Sequence, residues 1–319
     1  MNMKIDKFVL SIIAVIGVAY IFPELGTAHS RMPIDTICTV GISLIFFFYG
    51  LKLSPDKLKS GLKNWKLHLL VQASTFIIFP LIVLVFYPLL QTQEQELLWL
   101  AFFFLATLPS TVSSSVVMVS IGKGNVPAAI FNASISGIIG IAVTPLWMGL
   151  FVDSSQTNFE FTEIYTKLIV QIILPVVIGL LLQRFLNVFV NKYSSELTLF
   201  DKSIILLIIY KSFAQSFYEN IFSEVSIFDL FFMFVTVLIL FFLTFFITKF
   251  IAEKLSFNEE DQITAQFCGT KKSLVHGTVF SKILFGNTAA IGIVLLPLML
   301  FHAVQIVIIS FIAAKLARR

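Results

Sequence analysis

Residues 261–285 read DQITAQFCGTKKSLVHGTVFSKILF, and the stretch Gly269–Ser273 in their middle decides how the chain folds. An apolar run of this length can cross a bilayer as a helix, yet a Gly-Thr pair and two lysines interrupt it. A lysine near the centre of a bilayer costs on the order of 3 kcal/mol. We therefore expect a helix that is broken inside protein, with Lys271 and Lys272 turned away from lipid.

A second apolar stretch, residues 97–121, is interrupted in the same way. Its middle reads Pro109-Ser110-Thr111-Val112-Ser113-Ser114-Ser115. Proline removes a backbone hydrogen bond, and serine side chains compete for backbone groups, so a helix unwinds readily here. A Gly-Asn pair follows each interruption, at Gly124-Asn125 and at Gly286-Asn287. The two interruptions therefore occupy equivalent places in the two halves of the chain.

The composition places both interruptions in a membrane protein. Of the 319 residues, 58% are hydrophobic and 13% are charged, about half the charged fraction of a soluble domain. With about 20 residues needed for each crossing, ten candidate spans lie near residues 8–27, 35–53, 67–90, 97–121, 126–151, 163–188, 201–220, 227–251, 261–285 and 288–314. The first is expected as a retained span because no cleavage site of small residues follows it.

Ten spans in two similar halves predict two inverted repeats. Five spans per repeat is an odd number, so the second copy must run through the membrane in the opposite sense. The expected fold is an all-α polytopic membrane protein, with a first five-helix repeat in residues 1–153 and a second, inverted one in residues 160–319. The two broken helices of such a plan mark the binding site of a secondary transporter.

The basic residues predict which side the termini face. If both termini are cytoplasmic, sixteen of the 22 Lys and Arg residues lie on that side, and four lie on the other: Arg31, Lys167, Lys211 and Lys282. Cytoplasmic loops of membrane proteins are enriched in Lys and Arg. We therefore expect a multi-pass protein of the cell membrane with cytoplasmic termini. Residues 54–66 are either a short amphipathic helix on that surface or an ordinary basic loop.

The interruptions supply the candidate binding residues. Serine hydroxyls and freed carbonyls are oxygen ligands for a small cation, whereas the N-termini of half-helices favour an anion. The alternative is that the serines only allow close helix packing. The candidate site consists of Ser110, Thr111, Ser113, Ser114, Ser115, Thr270, Lys271, Lys272, Ser273 and His276.

Three roles are open for the two lysines. One of them could bind an anionic group of a substrate, could stand permanently where another transporter holds a cation, or could change its protonation state. A structural alternative, a lysine bound to carbonyls of the opposite broken helix, overlaps the second role. His276 lies four residues after Lys272 and thus on the same helical face. It is either a proton relay or a hydrogen-bonded packing residue.

Several other functions are disfavoured. The sequence has no HExxH, GxSxG or Gly-rich phosphate motif, so an enzyme is not expected. The net charge of +4 is small and forms no basic stripe, which argues against nucleic acid as a partner. Lys211, Gln72, His302 and Gln305 are further polar residues in apolar spans, and for the last three helix–helix contact is the simpler role. The oligomeric state is not predicted, and no cofactor is expected beyond an optional sodium ion.

The two interrupted regions resemble the bile acid:sodium symporter family. The stretches that carry the resemblance are PSTVSSSVVMVSIGKGNVPAAIFNASISGIIGIAVTPL from Pro109 and CGTKKSLVHGTVFSKILFGN from Cys268. They are most similar to its bacterial branch, which resembles member seven of solute carrier family 10. The resemblance implies ten helices, a core domain with two crossing broken helices, a panel domain that moves against it, and uptake of organic anions with sodium.

The resemblance also implies sodium ligands, and it contains one departure. Ser114 and Ser115 match the family's polar pair, Asn132 and Ser136 fall near its cation ligands, and Gln72 matches its third-span glutamine. The possible sodium ligands are therefore Ser114, Ser115, Asn132 and Gln72. Other members place a Glu and a Gln in the second interruption, whereas residues 267–273 here contain no carboxylate. Two lysine charges there would repel sodium by several kcal/mol at an effective dielectric constant of about 20.

The resulting hypothesis is a secondary active transporter of a small organic anion, such as a bile-acid-like or other carboxylate or sulfate solute, with sodium coupling left open. Its partners are the anion and the lipid bilayer. The alternative is a regulatory or scaffold membrane protein that retains the transporter fold without transport. A channel ranks third, because the sequence shows no ring of charges and no repeated filter loop.

Overall fold

The computed structural model describes residues 7–27, 33–53, 64–89, 91–111, 113–151, 166–220, 226–285 and 291–318, and all its regular elements are helices. The predicted surface segment at 54–66 and the Gly286-Asn287 pair lie wholly or mostly outside these residues. The first three helices are α1 (Lys7–Ile21), α2 (Ile34–Lys52) and α3, which runs through Trp65–Ala73, a π-helical turn at Ser74–Ile78, and Phe79–Leu84.

The remaining helices follow in chain order. They are α4 (Gln93–Thr107), α5 (Ser113–Ile121), α6 (Val126–Gly149), α7 (Leu174–Lys192, after a π-helical turn at Ile169–Ile173), α8 (Ser194–Tyr218), α9 (Ile227–Lys254), α10 (Glu259–Gly269), α11 (Leu274–Phe285) and α12 (Ile291–Ala317). Both predicted interruptions are thus breaks, one between α4 and α5 and the other between α10 and α11.

Local sequence explains where several helices begin. Thr92 accepts a hydrogen bond from the backbone N of Gln95 at the start of α4, and Asn125 accepts one from Ala128 N at the start of α6. Asn258 does the same for Asp261 N at the start of α10. Each of these side chains satisfies a backbone N–H that has no partner within its helix.

Among the described residues, six helices are long and apolar enough to cross a membrane. They are Ile34–Lys52, Trp65–Leu89, Val126–Gly149, Thr166–Leu186, Ile227–Lys254 and Ile291–Ala317. Large apolar side chains on α7 and α9 are strongly exposed, for example Val188 at 80% and Ile227 at 87%, as a surface in contact with lipid requires. A multi-pass membrane protein is therefore confirmed, whereas the ten-span inverted repeat stays a prediction.

The chain packs as two compact units, and each unit draws on both halves of the sequence. Unit 1 comprises the described residues of Met1–Ser54, Ser154–Ser226 and Thr278–Ile293. In it α2 packs closely on α7, where a Cβ atom at Gly50 would lie 2.2 Å from the carbonyl oxygen of Val176. Such small residues let two membrane helices approach at backbone distance.

Unit 2 comprises the described residues of Pro55–Asp153, Ile227–Gly277 and Val294–Arg319. It contains both helix breaks, and α6 makes room for the first one at Gly140. A Cβ atom at that position would lie 2.8 Å from Cγ of Pro109. The candidate residues named from the sequence therefore belong to a single unit. The two repeats predicted for residues 1–153 and 160–319 divide the chain in a different way from these units, and they stay a prediction.

Candidate functional site

Two hydrogen bonds join the two helix breaks directly. The backbone N of Ser273 donates to the carbonyl oxygen of Pro109 at 2.8 Å. The Ser110 hydroxyl donates to the carbonyl oxygen of Cys268 at 2.7 Å. Each bond satisfies a backbone group that the break has removed from regular helix, as a non-helical segment at membrane depth requires.

Lys271 extends from the second break to the first turn of α5. Its ammonium nitrogen lies 2.8 Å from the carbonyl oxygen of Ser114 and 3.5 Å from the hydroxyl oxygen of the same residue. The residue is fully buried. Among the described residues no carboxylate contacts it, and at least one of its three N–H donors has no acceptor within 3.2 Å. This buried amine is therefore only partly satisfied by the protein.

Lys272 is also fully buried, and its ammonium nitrogen is surrounded by three backbone carbonyl oxygens. It lies 2.7 Å from Thr75 O, 2.6 Å from Ala106 O and 2.9 Å from Leu108 O. The nitrogen also lies 4.2 Å from the ring centroid of Phe79. Two of the carbonyls belong to the end of α4 and the residue after it. Lys272 therefore makes the contacts expected of a lysine that is bound to carbonyls of the opposite broken helix.

A hydroxyl cluster lies beside Lys271 at the start of α5. The hydroxyl oxygen of Thr111 is 2.9 Å from that of Ser114 and 2.8 Å from that of Ser115. Ser136 on α6 joins the first break by accepting the backbone N–H of Ser110 at 2.9 Å. Of the other candidates, Thr270 donates to Gln266 O within its own turn, and the side chain of Ser113 lies outside the described part of the chain.

The possible sodium ligands fall into two separate groups. Ser114 and Ser115 belong to the hydroxyl cluster. Gln72 instead donates to Asn132, through contacts of 3.3 Å to its carbonyl oxygen and 3.2 Å to Oδ1. Asn132 in turn donates to Ala128 O on its own helix. No hydrogen bond among the described residues joins the two groups, and a sodium site shared by all four side chains stays a prediction.

His276 is held by the residue that begins its helix. The Ser273 hydroxyl lies 2.9 Å from Nδ1 of His276 and also accepts the backbone N–H of His276 at 3.3 Å. Ser273 is thus the N-cap of α11. These contacts are those expected of a hydrogen-bonded packing residue. A role of His276 in proton relay stays a hypothesis.

Lys211 lies in unit 1, whereas both helix breaks belong to unit 2. It pairs with Asp35, whose carboxylate also lies 3.4 Å from the ammonium nitrogen of Lys282. Lys282 further donates to the carbonyl oxygen of Asp35 at 3.2 Å. One carboxylate therefore serves two lysines of unit 1. Sequence reasoning missed this cluster because the three residues are distant along the chain.

Comparison with known proteins shows similarity to transporters over nearly the whole chain. The chain matches the SBF-like CPA transporter family over residues 6–318. It is 35% identical to the uncharacterised protein PA2026 of Pseudomonas aeruginosa, over 98% of this chain and 93% of the relative. It is 34% identical to YfeH of Escherichia coli, named as a candidate symporter, over 99% and 94% of the two chains.

A vertebrate relative extends the match. Sodium/bile acid cotransporter 7 of Xenopus tropicalis is 32% identical over 96% of this chain and 90% of its own length. The resemblance to bile acid:sodium symporters is thereby confirmed, and the family is one of transporters rather than enzymes. The chain belongs to the SBF-like CPA transporter family.

Proposed function

We propose that this protein is a secondary active transporter of a small organic anion, bound where the two helix breaks of unit 2 meet. The observation that carries the proposal is Lys271, a fully buried amine with no carboxylate partner among the described residues and with N–H donor capacity to spare. A buried charge is ordinarily paired. A carboxylate or sulfate group of a solute supplies the missing partner.

The surroundings of Lys271 favour an anion further. Ser114 belongs to the first turn of α5, where the helix dipole and N–H groups without intrahelical partners attract negative charge. The hydroxyl groups of Thr111 and Ser115 lie within one hydrogen bond of Ser114 and are able to donate to an anion. Because Lys271 is sealed from solvent, the anion gains access only after a conformational change, as alternating access demands.

Thermal unfolding of the purified protein with a panel of carboxylates and sulfates tests this function. An anion that binds only the folded state must raise the melting temperature, by an amount that grows with concentration. Lys271→Gln has a polar side chain of similar length but no charge. The melting temperature of this variant should therefore not rise with the anion. Lys249→Gln, which removes an exposed lysine paired with Glu253, should keep the response. A flat response across a broad panel would instead support the non-transporting scaffold.

A further inference from the structure

The carbonyl oxygens around Lys272 are available because two helical hydrogen bonds are missing and the third carbonyl lies beyond the end of its helix. In α3 the backbone N of Phe79 donates to Ser74 O, five residues back, instead of to Thr75 O. The next residue is Pro80, which has no N–H to offer. Thr75 O therefore has no partner within its helix, and the ammonium group of Lys272 takes it.

The other two carbonyls come from the end of α4. A helical bond to Ala106 O would use the backbone N of Ser110, but that N–H is given to the hydroxyl of Ser136. Leu108 lies just beyond the last helical residue, Thr107. Two unrelated interruptions, the π-helical turn of α3 and the break after α4, thus direct three carbonyl oxygens at one point.

This arrangement has the features of a site for a monovalent cation. An ammonium group has three N–H donors and a neutral amine only two, so three acceptors within 2.9 Å match the charged form. The Phe79 ring adds a face that attracts a cation. Backbone carbonyl oxygens are also the ligands that replace the water shell of alkali cations in channel filters.

The backbone of Lys272 is fixed so that the ammonium group stays in place. The Gln305 side chain accepts the N–H of Lys272 at 2.8 Å and donates to its carbonyl oxygen at 2.8 Å. Lys272 is therefore held at its backbone and at its side-chain end. A side chain that only filled space would not need the hydrogen bonds that its ammonium group makes to the three carbonyl oxygens.

We propose that the three carbonyl oxygens form a monovalent-cation site whose resident occupant is the ammonium group of Lys272. The intact protein consequently needs no sodium at this position. When the lysine is truncated, the site accepts sodium or a short alkylammonium ion. The idea that Lys272 replaces a coupling sodium ion rests on the proposed transport function. Cation binding at the three carbonyl oxygens can be tested without any substrate.

The test compares thermal unfolding of Lys272→Ala in sodium chloride, ethylammonium chloride and choline chloride at equal ionic strength. In choline the variant should melt well below the intact protein, because three buried carbonyls lose their donor. Sodium or ethylammonium should raise its melting temperature by about 3 °C or more, in a saturable manner. Destabilisation that is equal in all three salts would overturn the proposal and leave Lys272 as a structural tie.

Two controls separate this site from general salt effects. Lys271→Ala removes the neighbouring buried lysine, whose acceptors are one carbonyl and one hydroxyl of a single residue, and it should show no cation response. Lys272→Met removes the charge but fills the space, so it should be destabilised and unresponsive. A cation response of equal size in either control would contradict a site that is specific to the three carbonyls.

The intact protein gives a readout that does not depend on any variant folding. Its melting temperature in sodium chloride should lie within about 1 °C of that in choline chloride, because the resident ammonium already occupies the site. A saturable, sodium-specific rise in the intact protein would overturn the proposal. The anion response described above is a separate measurement, so failure of the cation site and failure of anion transport remain distinguishable.

Discussion

Gln305 on α12 clamps Lys272 by accepting its backbone N–H and donating to its carbonyl oxygen, both at 2.8 Å. The side-chain amide thus replaces both helical partners that Lys272 lacks in the break between α10 and α11. Gln305 is itself fully buried. A polar residue inside an apolar helix therefore fixes the backbone from which a buried lysine extends.

Gln305→Met should be strongly destabilising. The substitution conserves length but leaves a buried N–H and a buried carbonyl unsatisfied, at about 1–3 kcal/mol for each group. We expect a loss of about 2–6 kcal/mol for the two groups together, measured by denaturation of the purified protein. Ser310→Ala is the matched control on the same helix, because Ser310 donates to Ile306 O within α12, and its cost should stay below about 0.5 kcal/mol. Equal effects of the two variants would argue against the clamp.

Gly140→Ala should disturb the first helix break. The new Cβ atom would lie 2.8–3.0 Å from the ring of Pro109, whose carbonyl oxygen accepts the N–H of Ser273. We expect destabilisation of about 1–3 kcal/mol from overpacking. Gly17→Ala in α1 is the control, since nothing lies within 4 Å of its added Cβ atom. That variant should be neutral or slightly stabilising, because alanine has the higher helix propensity.

Asp35→Asn should destabilise unit 1 by leaving Lys211 and Lys282 without their shared carboxylate. Because the Asp35 side chain is 46% exposed, solvent screening limits the expected loss to about 1 kcal/mol. Adding Lys211→Met to this variant should recover part of that loss, since it removes one of the two lysine charges. A double-mutant cycle measures the coupling, and strictly additive effects would show that the ion pair contributes nothing.

The sequence was most informative about the two helix breaks. Pro109 and the Gly269-Thr270 pair are local signals, because missing N–H groups and flexible backbone act within one helical turn. The same local logic correctly placed Lys271 and Lys272 away from lipid. The structure adds that the breaks are bonded to each other at Pro109 and Ser273, in keeping with the crossing inferred from the resemblance.

The surroundings of each lysine could not be predicted from the sequence. The Thr75 carbonyl faces Lys272 only because a π-helical turn shifts one hydrogen bond, and 197 residues separate the two. Pro80 in the third span was the available signal, since a proline frees carbonyls one turn earlier. Gln305 was interpreted as a general helix–helix contact because nothing local reveals which backbone its amide will meet.

Uptake of labelled organic anions into proteoliposomes, with sodium and pH gradients imposed separately, tests the central claim most directly. We predict saturable anion accumulation above that of protein-free vesicles, which persists when choline replaces sodium and is lost in Lys271→Gln. No protein-dependent uptake of any anion under any gradient would contradict the proposed transport function. Uptake that occurs only with sodium would retain the transporter and contradict the predicted independence from sodium.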